Sequence, residues 1–404
     1  MGVETITLGC RLNFAESETM ASQLEGRDEN LVIVNSCAVT AEAVRTTRQQ
    51  IRKAKKRNPD AKVLVTGCAA QIEPETFQEM PEVDALLGNA DKLHLDKILQ
   101  SSKALPSDVM AATADPVAAG FQGKVRSFVA VQNGCDHRCT FCTIPYGRGN
   151  SRSLPYDEVR RAVAAELDRG AAEIVITGVD ITSYDDDGRT LGHLLQRLLA
   201  DEPRLKRLRL SSLDSIEIDG PLYELLAGDE RLLPHFHLSL QAGDDMILKR
   251  MKRRHSRAQA VDIVEKIKAA RPDATIGADL IAGFPTETED MALNTLKLLD
   301  DCDIVAAHIF PFSSREMTPA ARMPQLDRGL IKVRAARLRD RAAERRLAWL
   351  RSYVGTTQPA LIENGGKGHT DAFAPITVEG AARGAYGKAR IIDADDKGLT
   401  GVFE

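Results

Sequence analysis

Three cysteines stand within eight residues, Cys135-Asp136-His137-Arg138-Cys139-Thr140-Phe141-Cys142, at the spacing C-x3-C-x2-C. They follow an apolar run, Phe128 to Val131, that ends in Asn133-Gly134, so they sit on a loop at the C-terminal end of a strand. Thiolates this close bind one common object or stay free. Runs of this kind hold iron–sulfur clusters, usually through four thiolates. No fourth cysteine is near, so a cubane held here keeps one iron open, much as catalytic zinc sites keep an open position. An open iron can chelate the amino and carboxylate groups of a methionine. The competing reading is a zinc knuckle with His137 as the fourth ligand.

A second set is spread over the first seventy residues. Val3–Leu8, Leu31–Val34 and Lys62–Thr66 read as strands, and each is closely followed by a cysteine: Cys10, Cys37 and Cys68. Helices are expected after them, one opening at Asn13 with Glu16 three residues on in a capping-box pattern, one from about Thr40 to Arg57. Strands alternating with helices indicate βα units and a parallel sheet, whose carboxyl ends line a ligand crevice. The three cysteines therefore converge on one point. Three packed core cysteines is the alternative, but three equivalent loop positions favour a second three-thiolate cluster. Cys302 stands alone beside the apolar run Ile304–Ala307 and is expected to be a packed residue.

The elements that position these sets divide the 404-residue chain into parts. Residues 1–103 form an N-terminal α/β domain with a parallel sheet. Residues 104–123, punctuated by Pro106, Pro116, Gly120 and Gly123, read as a linker. Residues 124–350 continue the alternation. Strands are expected at Glu173–Thr177, Lys206–Ser211, His235–Leu240, Thr275–Ala282 and Ile304–Phe310. Helices fall at Pro155–Arg169, Leu191–Ala200, Leu222–Leu226, Arg257–Ala270 and Glu287–Leu299. With the strand before Cys135 this is an open (β/α)6 partial barrel. Its strand ends carry Gly178 and Asp180, Ser211 and Ser212, Gln241, and Asp279 with Gly283. A basic amphipathic helix follows at Arg328–Arg351. Residues 351–404 read as short strands divided by glycines, Pro359–Glu363, Phe373–Val378, Ala385–Ile392 and Gly398–Phe403, which make a small β-barrel.

The formal net charge of −4 excludes a generally basic nucleic-acid binder, yet three local runs are basic: Arg45–Arg57, Lys249–Arg257 and Arg328–Arg351. Such runs are usually solvated faces, but three of them in an acidic chain suggest phosphate contact. No apolar run approaches the roughly 20 residues that span a bilayer, and the first 20 residues hold no signal-peptide core. Seven cysteines, an odd number, argue against a disulfide framework and for a cytoplasmic protein that uses them for metal or redox chemistry.

The C-x3-C-x2-C run resembles the signature of the radical S-adenosylmethionine enzymes. Two cysteine triads followed by a small terminal barrel resemble, over nearly the whole chain, the radical methylthiotransferases. In that family both triads hold a [4Fe-4S] cluster. The resemblance implies a sulfur-related cluster on Cys10, Cys37 and Cys68 and a radical cluster on Cys135, Cys139 and Cys142. It implies S-adenosyl-L-methionine as cofactor, with Gly178, Asp180, Ser211, Gln241 and Asp279 as candidate contacts, and a TRAM domain at residues 351–404. Leu8-Gly9-Cys10-Arg11-Leu12-Asn13 looks like the branch acting on threonylcarbamoyladenosine in tRNA, where the isopentenyl-adenosine branch reads GCQMN and the ribosomal-protein branch GCPKN. Thr177-Gly178-Val179-Asp180, Gly283-Phe284-Pro285-Thr286-Glu287-Thr288, Phe310-Pro311-Phe312-Ser313 and His369-Thr370-Asp371-Ala372-Phe373-Ala374-Pro375 fit the same branch. Arg315-Glu316-Met317-Thr318 departs from it, with no glycine before the threonine.

The implied reaction turns an adenine C–H bond into C–S–CH3. That proton is not acidic, so hydrogen abstraction by a carbon radical replaces an acid–base route. The implied partners are the tRNA anticodon arm, an electron donor such as flavodoxin or ferredoxin, and a sulfur source. Two rivals share the chemistry, acting on isopentenyl-adenosine in tRNA or on a ribosomal protein. A third is a non-catalytic metal-containing RNA-binding module, against which three-cysteine sets speak, since structural zinc sites have four protein ligands.

Overall fold

The computed structural model describes residues 2–27, 29–112 and 125–404. The chain starts with strand β1 (Val3–Thr7), helix α1 (Arg11–Gln23), β2 (Leu31–Ser36), α2 (Ala41–Arg57), β3 (Lys62–Gly67), α3 (Cys68–Ile72), α4 (Pro74–Gln78), β4 (Ala85–Leu86) and α5 (Leu95–Leu99). The four strands pair in parallel in the order β1-β2-β3-β4. All six residues of β2 are buried, because both faces of the sheet are covered. Val32, Val34, Val63 and Val65 face Val44 and Ile51 of α2, while Leu31, Ile33 and Leu64 face Met20 and Leu24. Thr40 caps α2 by accepting from the Ala43 N–H at 3.1 Å.

The expected capping box on α1 is not formed. The helix begins at Arg11 with Cys10 at its N-cap. Asn13 and Glu16 lie inside it and are buried. Asn13 donates to the carbonyls of Leu8 and Ser36 at 2.7 and 3.0 Å, and so ties the two loops that carry Cys10 and Cys37. Of the expected linker, residues 104–112 pack on this domain: Ser107 accepts from Gln71 at 2.9 Å and Val109 is buried. Residues 113–123 lie outside the described residues.

The central part holds β5 (Arg126–Ala130), β6 (Gln132–Asn133), α6 (Ile144–Arg148), β7 (Arg152–Ser153), α7 (Tyr156–Asp168), β8 (Glu173–Thr177), α8 (Leu191–Asp201), β9 (Leu208–Leu210), α9 (Gly220–Gly228), β10 (His235–Gln241), α10 (Asp245–Met251), α11 (Arg257–Ala270), β11 (Thr275–Ala282), α12 (Glu289–Asp301), β12 (Ile304–Pro311) and α13 (Arg328–Arg351). β5-β8-β9 and β10-β11-β12 are parallel sheets, joined by the bridge Leu213–Leu238. Together they form an open barrel of six βα units. β10 shows the logic. Phe236, Leu238 and Leu240 are buried outward against the helices, each contributing about 1.5–3 kcal/mol, while His235, His237, Ser239 and Gln241 alternate with them and stay partly exposed on the inner side. The interior is therefore polar and open to water. The N-terminal domain spans the gap in the barrel: Ala15 of α1 packs beside Phe128 of β5, and beyond β12 Arg315 pairs with Glu73 while Ser313 accepts from the Ala41 N–H at 3.3 Å.

The chain ends in β13 (Thr357–Asn364), β14 (Lys367–Thr370), β15 (Pro375–Val378), β16 (Tyr386–Ala394) and β17 (Leu399–Phe403), a closed barrel in the order β13-β14-β15-β17-β16. β14, short and polar, is not read from the sequence. β15 starts two residues later than expected because Phe373 takes a left-handed conformation, φ 68°, which ends strand geometry there. The turn around Phe373 is clamped to the base of the large barrel. Arg207 pairs with Asp371 at 2.5 Å, Arg209 donates to the Thr370 and Asp371 carbonyls at 3.0 and 2.9 Å, and Thr275 donates to the Ala372 carbonyl at 2.9 Å.

Candidate functional site

Cys10, Cys37 and Cys68 follow β1, β2 and β3 and come to one end of the sheet. Gly9, at φ 96°, lets the first loop approach the second: a Cβ there would lie 2.9 Å from the Cys37 sulfur. Burial first, and then the nearness of Cys68 and Cys10, push the Cys37 thiol up to about 11. A thiolate ligand must lose its proton, so a thiol placed like this becomes a ligand when a cationic cluster compensates for its charge. Asn89 donates to the Cys68 sulfur at 3.7 Å. Arg148 carries its charge close to both Cys68 and Cys10.

The second triad hangs on the loop between β6 and α6. Cys135 and Cys139 are buried and Cys142 is half-buried. Backbone N–H groups of His137 and Ile144 donate to the sulfurs of Cys135 and Cys142 at 3.4 and 3.5 Å, and Arg253 donates to that of Cys139 at 3.7 Å. Burial pushes Cys142 up to about 12 and Cys135 higher still. The His137 ring lies with Cys135 and Asp180, their ligand atoms within 4.8 Å of one another. Its Nε2 lies 2.6 Å from Asp180 and 3.5 Å from Glu217, and hydrogen bonds to these two raise its pKa to about 10. The ion-pair partners of its ring are these two carboxylates.

The two triads are neighbours. α6 directly follows Cys142 and packs on α3, which begins at Cys68: a Cβ on Gly147 would lie 3.2 Å from the Cys68 Cβ. The seam is pinned by a buried group of charges. Arg148 donates to Glu16 at 2.8 and 3.0 Å, to Asn13 at 2.5 Å and to Asn133 at 3.0 Å, and Lys92 donates to Glu16 at 2.5 Å. Glu16, Lys92 and Arg148 are almost wholly inaccessible.

The remaining expected contacts separate. Gly178 and Asp180 stand directly after β8, beside the second triad. Asp180 accepts from Cys135 at 3.6 Å and from Ser183 at 2.9 Å, and its N–H donates to Gln132 at 2.8 Å. A Cβ on Gly178 would lie 2.6 Å from the Gln132 carbonyl, so glycine permits this close approach. Ser211 directly follows β9 and Gln241, at φ 66°, ends β10. Asp279 is not at a strand end. It lies four residues into β11, inside the barrel, where it accepts from His237 at 2.9 Å and His308 at 3.1 Å. Burial alone would raise its pKa, but these two hydrogen bonds hold it below the usual carboxylate range.

Sequence reasoning missed the shell behind the thiols: Arg148, Glu16, Asp214, Glu217, Arg253 and Arg254. The basic run Lys249–Arg257 was the one available signal. Part of it supplies this shell, Arg253 pairing with Asp214 at 2.9 Å and Arg254 with Glu217 at 2.7 Å, while Arg257 pairs with Asp301 and Lys249 and Lys252 stay exposed. α13 is likewise partly self-neutralised, with Arg334 on Glu287, Arg337 on Glu289, and Arg341 and Arg345 on Asp300. No helix among the described residues is long and apolar enough to cross a membrane.

Comparison with known proteins fits this layout. The Radical SAM superfamily matches residues 129–299, and the family described as Uncharacterized protein family UPF0004 matches residues 2–88. The chain is 46% identical over 403 residues to the threonylcarbamoyladenosine tRNA methylthiotransferase MtaB of Rickettsia prowazekii, covering 97% of this chain and 95% of that one. It is 34% identical to the protein of the same name from Aquifex aeolicus, over 94% and 97%. It is 32% identical to a tRNA-2-methylthio-N(6)-dimethylallyladenosine synthase of Cereibacter sphaeroides, over 98% and 97%. Among solved structures, the radical S-adenosylmethionine methyltransferase TsrM from Kitasatospora setae shares the fold with TM-score 0.54 at 15% identity, over 75% of this chain and 66% of that one.

Proposed function

This chain belongs to the radical S-adenosylmethionine tRNA methylthiotransferases, and from that premise we propose that it inserts a methylthio group at C2 of N6-threonylcarbamoyladenosine next to the anticodon, giving 2-methylthio-N6-threonylcarbamoyladenosine. The observation that carries the reading is the pair of adjacent thiol triads on the two domains that meet at Arg148. Similarity at 46% identity over nearly the full length to a protein named for the threonylcarbamoyl substrate supports that substrate over the dimethylallyl one.

When bound, the cofactors supply the difficult chemistry: a [4Fe-4S] cluster with S-adenosyl-L-methionine gives a carbon radical able to abstract an unactivated hydrogen, and a second cluster is associated with the sulfur. The chain holds and shields them. Cys135, Cys139 and Cys142 would ligate the radical cluster, and Cys10, Cys37 and Cys68 the other. The N–H groups of His137 and Ile144 and the guanidinium of Arg253 donate to the sulfurs of Cys135, Cys142 and Cys139, which would lower the cost of their charge as buried thiolate ligands. Gly178, Asp180, Ser211 and Gln241 rim the barrel mouth as contacts for S-adenosylmethionine. Asp279, held between His237 and His308 inside the barrel, remains a candidate contact deeper on the inner wall. Asp180 also keeps His137 protonated, so this corner of the mouth offers both a carboxylate and a cation. Glu16 and Lys92 hold Arg148 against both domains, which fixes the distance between the triads.

The terminal barrel would act as a TRAM domain that binds the anticodon arm, together with the outer face of α13, in a cytoplasmic protein served by a flavodoxin- or ferredoxin-like donor and an external sulfur source. The test is mass spectrometry of tRNA nucleosides from a strain lacking the gene. Loss of the 2-methylthio derivative with accumulation of threonylcarbamoyladenosine is the expected result. An unchanged threonylcarbamoyladenosine pool with loss of a methylthiolated dimethylallyl nucleoside would overturn the substrate.

A further inference from the structure

The ring of Phe373, at the base of the large barrel, is surrounded by cations. The guanidinium carbons of Arg209, Arg126 and Arg11 lie 4.8, 5.2 and 5.9 Å from its centroid, and the rings of His369 and His235 stack on it at 4.4 and 5.1 Å. Arg11 also sits over Phe128, at 5.6 Å. An aromatic face attracts a cation, but three guanidinium groups around one ring repel each other and require anions. The local carboxylates are already assigned. Glu173 takes Arg207 at 2.9 Å and Arg209 at 2.7 Å. Asp371 takes Arg207 at 2.5 Å, and Glu363 takes Arg126 at 3.1 Å and His369 at 2.5 Å. Arg11 is left over: among the described residues no carboxylate pairs with it and no acceptor hydrogen-bonds it. The Nε of Arg126 is likewise without a partner.

The position of Arg11 suits a ligand. Residue 11 keeps access to water, while its guanidinium has Arg126, Arg209, Glu173 and Glu363 as its charged neighbours. It is the residue after Cys10, so it runs from the first triad into the barrel. Arg126 and Phe128 on β5 and His235 on β10 occupy inward positions. A guanidinium on the inner side of the barrel that no carboxylate pairs with directly is a receptor for a carboxylate, which it binds through two parallel N–H bonds.

We propose that Arg11, backed by Arg126, is a carboxylate-binding subsite that receives the threonine carboxylate of the N6-threonylcarbamoyl group. The inference rests on the proposed function and deepens it. A threonylcarbamoyl group attaches through its amine and leaves its carboxylate and hydroxyl free, whereas a dimethylallyl group is a neutral hydrocarbon. A site that places a charge to meet a charge discriminates against the analogue that lacks it, because its own ion is then left unpaired. Arg11 is in this sense a specificity residue: it touches the substituent and not the reacting carbon.

The test uses anaerobically reconstituted full-length protein and two anticodon stem-loop RNAs, one with N6-threonylcarbamoyladenosine and one with its threoninamide counterpart. Wild-type kcat/KM should fall by about 10- to 100-fold on the amide. Arg11→Gln should lose a similar factor on the acid and no longer distinguish the two, and Arg11→Lys should recover part of the preference. Iron content and uncoupled cleavage of S-adenosylmethionine report whether the variant still holds its clusters. If Arg11→Gln does not, the wild-type comparison of the two RNAs decides alone. Equal rates on acid and amide by the wild type, or a cluster-replete Arg11→Gln that still prefers the acid, would overturn the subsite while leaving the function standing. Failure of the wild type on both RNAs would overturn the function itself, and the subsite with it.

Discussion

Glu16 is the charge on which the domain seam turns. It is inaccessible and accepts hydrogen bonds from Lys92 on one side and Arg148 on the other. Glu16→Gln keeps the shape and removes the charge, leaving two buried cations facing each other. Removing one partner of a buried ion pair costs about 3–5 kcal/mol. The amide can still accept a hydrogen bond, so the lower end applies. At about 1.2 °C per kcal/mol for a chain of this length, the expected drop in Tm is about 3–4 °C, read by circular dichroism on anaerobic protein. The pH profile carries a second signature. Burial alone would raise the pKa of Glu16, but Arg148 and then Lys92 outweigh it and hold the carboxyl at about 2. A folded pKa below the unfolded one means stability that is present above the unfolded value, near 4.3, and is lost as pH falls toward 2. Glu16→Gln should therefore flatten the acid limb of the stability curve. Adding Lys92→Met removes one of the stranded cations and should restore part of the loss. A shift in Tm under 2 °C, or an additive double variant, would refute this account of the seam.

Cys302, fully buried in the core of the large barrel, should be replaceable by Ser with the iron content still that of two clusters; loss of about four irons per chain would contradict this. Truncation after Tyr353 should lower the stability of the large barrel, since Arg207, Arg209 and Thr275 lose partners from residues 370–372, so the tRNA surface is better tested by Lys388→Ala and Arg390→Ala on the exposed side of β16. If each of these contacts a phosphate, each loss should weaken tRNA binding and reduce the log–log salt slope by about 0.7–0.9; filter binding across a salt series with an unchanged slope would place the RNA elsewhere.

The sequence made most of the longer strands and the six cysteines legible because both are local signals. β11 and α11 end where the apolar patterns end, and α13 runs over the full basic stretch. What it hid were interactions between residues far apart. Asn13 and Glu16 carry the spacing of a capping box, but a helix start needs its first N–H groups unsatisfied and exposed, and here Cys10 starts the helix against the loop of Cys37. The partners of Glu16 are 76 and 132 residues away, beyond the reach of any periodicity. Asp279 reads as a polar residue near the end of an apolar strand, while in the barrel it is one of three side chains from adjacent strands that meet inside. The basic run at Lys249–Arg257 looks like a solvated face because its acids, Asp214, Glu217 and Asp301, belong to other elements.

The central claim is that two thiol triads do two different jobs. It is tested by replacing Cys10, Cys37 and Cys68 together with Ala in anaerobically reduced protein supplied with S-adenosylmethionine and substrate RNA, and measuring 5′-deoxyadenosine and methylthiolated nucleoside in the same reaction. The account expects 5′-deoxyadenosine to continue, because Cys135, Cys139 and Cys142 are intact on their own loop, and the methylthiolated nucleoside to vanish. A triple variant that still makes the methylthiolated product would contradict it.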